Sequence, residues 1–306
     1  MTLGKGAFEA VTGMRLPMRD IAGAWFRSER HGCRVYPMED VTLPVRKPEY
    51  VERFRVDLIE VARMLRSIDG VEVAAVERRY EVVDTADKLR ALVARLEAGR
   101  RTVLSVDCEW HGINHVDGKL RSLQIAWAPG EAAYVRFMDD ALNYALDVDY
   151  REAGRILSSW LDRPEVRYVG HHISADLPWM HAWLGLEWRG KTLLDTEYAQ
   201  QCCDEYEPRG LERLSVRLTD LGRYDMPLYM WCRDNRALVE DGYGRIPDDI
   251  LVPYACADVD VVIRAYPHLM RDLVGQDLIG YYANVFNPMV ADLFTLFALN
   301  GLKTLA

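Results

Sequence analysis

The sequence predicts an α/β chain: a mixed sheet flanked by helices, preceded by a small α/β module of its own. Three observations carry that prediction. From Val103, three strand-like segments follow one another (Val103 to Trp110, Leu120 to Trp127, Ala132 to Phe137), divided by Asn114, Asp117-Gly118 and Pro129-Gly130, the turn residues of an antiparallel meander. After them helix and strand alternate, with a helix at about 150–161 and a strand at 166–169, the order of a sheet that carries helices on its faces. Ahead of them, residues 1–70 have their own Gly and Pro punctuation and mix helical with strand-like patterning.

The N-terminal module opens with a helix-like run marked by Gly4, Gly6 and Gly13 and continues into strand-like segments about Trp25 and Val35. A loop holding Pro37, Pro44 and Pro48 leads to a helix from about Glu49 to Ile68, with Phe54, Leu58, Val61, Met64 and Leu65 on one face. Pro48 suits its opening, because the donor that proline lacks is one a first turn leaves unpaired anyway, and Asp69-Gly70 suits its end. A strand over Val71 to Val76 and another near Tyr80 to Val83 come next, then a helix capped by Asp84 or Thr85 and closed at Gly99. Beyond the meander, the strand ending at Val169 runs into Gly170 to Trp179, a strand-to-helix junction of the kind where open α/β sheets hold ligands. Asp195-Thr196 begins a further helix with Asp195 as its cap, and a long helix lies between Pro247 and Leu269. Pro253 is tolerated there if the helix begins near Asp249 or at the proline itself, since one backbone donor is lost. These segments divide the chain into 1–70, 71–275 and 276–306.

Composition bounds the function. An apolar content of 50% and a charged content of 28% are those of a soluble globular protein, and no apolar run reaches the length of a membrane span or a secretory signal. An intracellular, cytoplasmic protein is expected. The six cysteines show no Cys-x-x-Cys spacing, which points to reduced thiols and away from a disulfide framework or a zinc site. The net charge of -9 opposes a broad duplex-DNA footprint, but it is unevenly spread. Residues 1–100 carry 18 Lys and Arg against 16 Asp and Glu, and the remainder 20 against 31. A segment that acidic can act on nucleic acid if part of its charge is committed to metal ions, which invert the local potential.

The residues that break the pattern are carboxylates. Asp107 and Glu109 interrupt an apolar strand, and strand alternation points both to one face. Two adjacent negative charges are costly to bury unless a cation sits between them, and carboxylate oxygens suit hard divalent ions. Asp176 stands at the start of the helix after Gly170, where a cap or first-turn acid is the simplest account. Tyr254 and Asp258, spaced i and i+4, share one helix face, which Val261 or Val262 and Ala265 continue inward. A metal-ligand role for His171, His172 or the His111-x-x-x-His115 pair competes with the commoner loop or core histidine.

Asp107-x-Glu109, Gly170 to Asp176 and Tyr254-x-x-x-Asp258, in that order, resemble the three exonuclease motifs of the DEDD superfamily in its tyrosine-bearing branch. The likeness is to the proofreading 3'-5' exonuclease domain of family A DNA polymerases, over about residues 75–275, and it implies a ribonuclease H-like sheet. The tail from Asn287 to Leu302 resembles the helix that leads from that domain into the polymerase. The family usually has Asn and an aromatic residue where this chain has His172 and Ala175. The N-terminal segment resembles the C-terminal part of a family 4 uracil-DNA glycosylase-like domain, in Leu3 to Gly13, in Val35-Tyr36-Pro37 and in Arg46-Lys47-Pro48. Asp40 and Val41 stand where that family has a His-Pro pair, so a degenerate accessory module is expected there.

The exonuclease resemblance implies that Asp107, Glu109, Asp176 and Asp258 bind two ions, Mg2+ or Mn2+, that Tyr254 orients the attacking water, and that His172 contacts substrate. It further implies nucleoside 5'-monophosphates as products, single-stranded DNA 3' ends as substrate, and a polymerase domain or subunit as a possible partner in replication. A ribonuclease D-like RNA exonuclease and a catalytically silent scaffold of a replicase are the alternatives. The stacking wedge is expected in the loop of His111 to His115 or in the segment Tyr206 to Arg209.

Overall fold

The computed structural model describes residues 1–68, 76–205 and 209–301. It divides into two compact units, one of Met1–Val76 with Asp204–Met226, the other of Glu77–Cys203 with Pro227–Ala306. The expected strand over Val71 to Val76, the helix end at Asp69-Gly70 and most of the Tyr206 to Arg209 segment lie outside the described residues.

In the first unit, β1 (Thr2–Leu3), α1 (Lys5–Thr12), α2 (Met18–Ile21), β2 (Phe26–Ser28), β3 (Cys33–Val35), β4 (Pro37–Met38), α3 (Thr42–Arg46) and α4 (Val51–Ile68) follow in order. β1 pairs in parallel with β4, and β2 is antiparallel to β3. Gly13 ends α1 in the left-handed region at φ 75°, where a side chain would be strained. Phe8, Ile21, Val35 and Met38 are buried apolar residues of this unit. Pro48 opens a single 3-10 turn that leads straight into α4.

In the second unit, β5 (Arg79–Val83) and α5 (Ala86–Ala98) precede the meander of β6 (Val103–His111), β7 (Lys119–Ala128) and β8 (Glu131–Arg136). The Thr85 hydroxyl accepts the Lys88 N–H at 3.3 Å, so of the two candidate caps it is the threonine that closes the first turn of α5. Then come α6 (Tyr150–Leu161), β9 (Arg167–Gly170), α7 (Leu177–Leu184), β10 (Thr192–Asp195) and α8 (Thr196–Cys203). α9 (Leu211–Leu218) belongs to the first unit. After it lie α10 (Met226–Asp234), α11 (Asp248–Gly275), α12 (Ile279–Tyr281) and α13 (Phe294–Asn300), with α12 and α13 joined by π-type turns on either side of Asn287. Pro288 accounts for that widening, since it removes one i to i−4 donor and crowds the preceding turn.

The sheet order is β10-β9-β6-β7-β8-β5. β7 is antiparallel to both β6 and β8, while β9 beside β6, β10 beside β9 and β5 beside β8 are parallel. This is the mixed sheet expected. Its strand β10, which sequence patterning does not reveal, supplies one edge. The two faces of β6 differ. Leu104, Val106 and Cys108 join a core shared with Leu89 and Leu92 of α5, Leu157 of α6 and Met180 of α7. Ser105, Asp107 and Glu109 face the other way, where α11 crosses β6, β7 and β8. Among the described residues no helix is long and apolar enough to cross a membrane.

Candidate active site

Strand alternation delivers Asp107 and Glu109 to the α11 side of the sheet, and α11 delivers Asp258 to meet them. One carboxylate oxygen from each of the three lies within 4.8 Å of the others. Asp258 is 7% and Glu109 6% exposed and Asp107 is half-buried, so this is a largely buried cluster of like charges. Asp176 joins from the junction after β9, at the residue before α7. Its Oδ1 accepts the N–H of Cys108 at 3.1 Å, which ties it to β6 between the two acidic residues. The expected cap role does not describe it: Asp176 makes no side-chain capping bond to α7.

Burial and mutual repulsion act in one direction on these groups. Burial raises the Asp107 carboxyl well above the ordinary range, and Asp176 raises it further. Burial likewise lifts Glu109, with Asp107, Asp258 and Asp176 adding to the effect and Arg121 opposing it. Asp176 is raised by burial, opposed by the Cys108 N–H and supported by Asp195 and Asp258. Such a set is stable in ionised form only around positive charge. Its donors are hard oxygens, which fit Mg2+ or Mn2+ rather than a soft metal.

These carboxylates line a cavity of about 290 Å³ together with Trp110, His171, His172, Ala175, Gly242, Tyr243 and Tyr254. Tyr254 stands one turn before Asp258, as its spacing requires, and its ring meets the edge of Tyr243 at 6.2 Å between centroids. α11 begins at Asp248, so Pro253 sits inside it, in its second turn.

The β9–α7 junction is held by Asp195, which does more than cap. Its Oδ1 accepts the N–H of Glu197 at 2.9 Å, and it also accepts from His172 N at 3.1 Å and, through Oδ2, from Ile173 N at 2.8 Å. His172 itself takes a left-handed conformation at φ 55°, unusual for a residue with a side chain. Its Nδ1 lies 2.6 Å from Glu197 Oε2, and the ring stays half exposed at the cavity rim. His171 is half-buried, with Nδ1 2.9 Å from the Thr196 hydroxyl and its pKa pushed down to about 4 by desolvation. Neither histidine stands among the clustered metal-ligand atoms, nor do His111 and His115.

Sequence patterning missed several participants. Gln124, opposite Asp107 in the β6–β7 register, is one. With its amide oxygen facing the Ser122 hydroxyl at 2.7 Å, its nitrogen donates to the backbone oxygen of Asp107 at 2.7 Å and to Asp107 Oδ2 at 3.2 Å. Tyr243 is another. The two glycines around it are the signal that could have found it: a Cβ on Gly242 would lie 2.9 Å from the Trp110 carbonyl, and one on Gly244 2.3 Å from the His111 Cβ. Only glycine lets this loop close on the end of β6, where Gly112 N–H donates to the Asp241 carbonyl at 2.6 Å.

Comparison with known proteins agrees with this geometry. Residues 80–274 match the 3'-5' exonuclease family. The DNA polymerase of Escherichia phage T5 is 24% identical over 253 residues, which make up 79% of this chain and 28% of that polymerase. The chain therefore spans little more than a quarter of the length of that relative. Among solved structures, Brucella melitensis NrnC bound to pGG superposes with a TM-score of 0.53 at 14% identity, over 76% of this chain and 99% of NrnC. Escherichia coli RNase D, an exoribonuclease involved in structured RNA processing, gives 0.50 at 16% identity, over 73% of this chain and 52% of its own. What is shared at these identities is the fold, a ribonuclease H-like sheet flanked by helices.

Proposed function

The chain belongs to the 3'-5' exonuclease family, and from that premise we propose that it is a metal-dependent exonuclease that releases nucleoside 5'-monophosphates from single-stranded DNA 3' ends. The observation that carries the proposal is the Asp107, Glu109, Asp258 cluster, with Asp176 anchored beside it. The ligand roles go to these four carboxylates. Two bound Mg2+ or Mn2+ ions would supply Lewis-acid stabilisation of charge at the scissile phosphate and a more acidic water. Tyr254 orients the attacking water by hydrogen bonding, since an ordinary phenol is a poor base at neutral pH. His172, half exposed at the rim, contacts the terminal nucleotide. The exposure of Ile113, 91% in the loop of His111 to His115, supports that loop as the wedge against bases.

DNA is preferred over RNA on the strength of the match to a DNA polymerase. The same match supports a proofreading role beside a polymerase domain or subunit. So do the side chains of Tyr281, Val285, Met289, Leu293, Phe294 and Phe297, all more than a third exposed along the last helical stretch. We assign residues 1–70 to an accessory module, 71–275 to the exonuclease and 276–306 to the helix leading toward a polymerase.

The test uses 5'-labelled single-stranded DNA and RNA of one sequence, with Mg2+ or Mn2+. Stepwise shortening of DNA from the 3' end by the wild type and not by Asp107→Ala is expected. A faster rate on RNA would move the assignment to an RNA exonuclease, and no shortening of either would favour a silent scaffold.

A further inference from the structure

The strand opposite the carboxylates carries a defect. β7 pairs with β6 residue for residue from Ala126 to Ser122, but Glu109 faces Ser122 while Trp110 faces Leu120, which leaves Arg121 as an extra residue. A bulge of this kind takes one side chain out of the alternation and re-aims it. The Arg121 carbonyl accepts from both Phe137 N at 2.8 Å and Met138 N at 3.1 Å, which fixes the bulge, and its side chain is 0% exposed.

A buried guanidinium is costly unless its donors are matched. Arg121 Nη1 donates to the carbonyls of Tyr243 at 3.0 Å and Gly244 at 2.7 Å, and Nη2 to Asp248 Oδ1 at 2.7 Å. The other Asp248 oxygen accepts from Arg136 Nη2 at 2.7 Å. Asp248 is the first residue of α11, the helix that goes on to present Tyr254 and Asp258, and Tyr243 lines the cavity. One side chain thus touches the loop over the site and the origin of the helix that enters it.

We propose that Arg121 is the positioning residue that sets the distance between the carboxylates of β6 and the tyrosine and carboxylate of α11. The proposal rests on the reading of Asp107, Glu109 and Asp258 as metal ligands. The planar fork is required: lysine has the charge but reaches only part of the set, whereas methionine fills the space and makes none of these bonds.

The test measures Mn2+ binding by calorimetry on the full chain, with steady-state kinetics alongside, for the wild type, Arg121→Lys, Arg121→Met and Asp248→Asn. Outer partners of metal ligands are worth about 10–100-fold in metal affinity, and that loss is expected for Arg121→Met, with a smaller one for the other two. kcat should fall while KM for the oligonucleotide stays put. Wild-type Mn2+ affinity in Arg121→Met would overturn the proposal even if its melting temperature dropped. Should that variant fail to fold, wild-type affinity in both Arg121→Lys and Asp248→Asn would do the same. A wild type that binds no Mn2+ would overturn the metal-site reading itself, and this proposal with it.

Discussion

Single residues in this site are costly before they are useful. Burial and mutual repulsion push the carboxyls of Asp107, Glu109 and Asp176 upward, a cost that a bound cation would offset. Tyr254 is expected to act through its hydroxyl alone. Tyr254→Phe should therefore lower kcat by about 100-fold, the low end of what a positioned proton-handling group contributes, with unchanged Mn2+ affinity; a variant as fast as the wild type would remove the tyrosine from the mechanism. A different buried acid governs the first unit. Asp57 is fully buried, neither carboxylate oxygen has a hydrogen-bond partner among the described residues, and burial, opposed by Arg213 at 3.9 Å, pushes its pKa from 3.8 up to about 6. The folded state holds that proton more tightly than the unfolded chain does. The contribution of Asp57 to stability is thus greatest below the ordinary carboxylate range, falls as pH rises from about 4 to about 6, and is level above, a loss of about 3 kcal/mol. Melting curves across that window should fall less steeply in Asp57→Asn than in the wild type, the raised carboxylates of the second unit contributing equally to both; parallel curves would refute it. Asp176 at a helix start reads as a cap and was singled out by the family resemblance alone, whereas Asp107, Glu109 and Asp258 were legible in the sequence because charge on an apolar strand and i, i+4 spacing are local signals. Gln124, Arg121 and Tyr243 were not, because their roles depend on cross-strand register, a bulge and a loop closure, which no spacing along the chain encodes.

Elements place these residues by close approach. α6 passes α7 at Gly154, where an added Cβ would lie 1.9 Å from the Leu184 carbonyl. α7 follows directly on Asp176, so this contact fixes the junction from behind. Gly154→Ala should cost about 1–3 kcal/mol through overpacking and lower the melting temperature by several degrees; an unchanged midpoint would mean that the two helices have room to part. The meander, α5 and α6 were readable from turn residues, caps and periodicity, and α6 spans 150–161 as expected. β10 was not: four residues, Thr192 to Asp195, are too few to show alternation, and only pairing with β9 makes them a strand. Asp195 accordingly read as a helix cap, while in the fold its carboxylate also gathers the backbone of His172 and Ile173.

At the scale of the whole chain, the acidic excess beyond residue 100 sets the condition for activity. Twenty basic residues against 31 acidic ones repel a phosphate backbone unless bound cations offset part of that charge. Substrate binding and chemistry should then share one requirement for metal, located at Asp107, Glu109, Asp176 and Asp258. The fold class and the order of these motifs could be read from the sequence, whereas the assignment of Asp204–Met226 to the first unit could not, since it rests on contacts remote in the chain. The measurement that bears most directly on the central claim is the identity of the products formed from single-stranded DNA with and without Mn2+, by the wild type and by Asp107→Ala. The expected result is nucleoside 5'-monophosphates released one at a time from the 3' end, only with metal, at a rate reduced by more than about 100-fold in the variant. Intact DNA in Mg2+ and Mn2+ alike, or equal release by the variant, would contradict it.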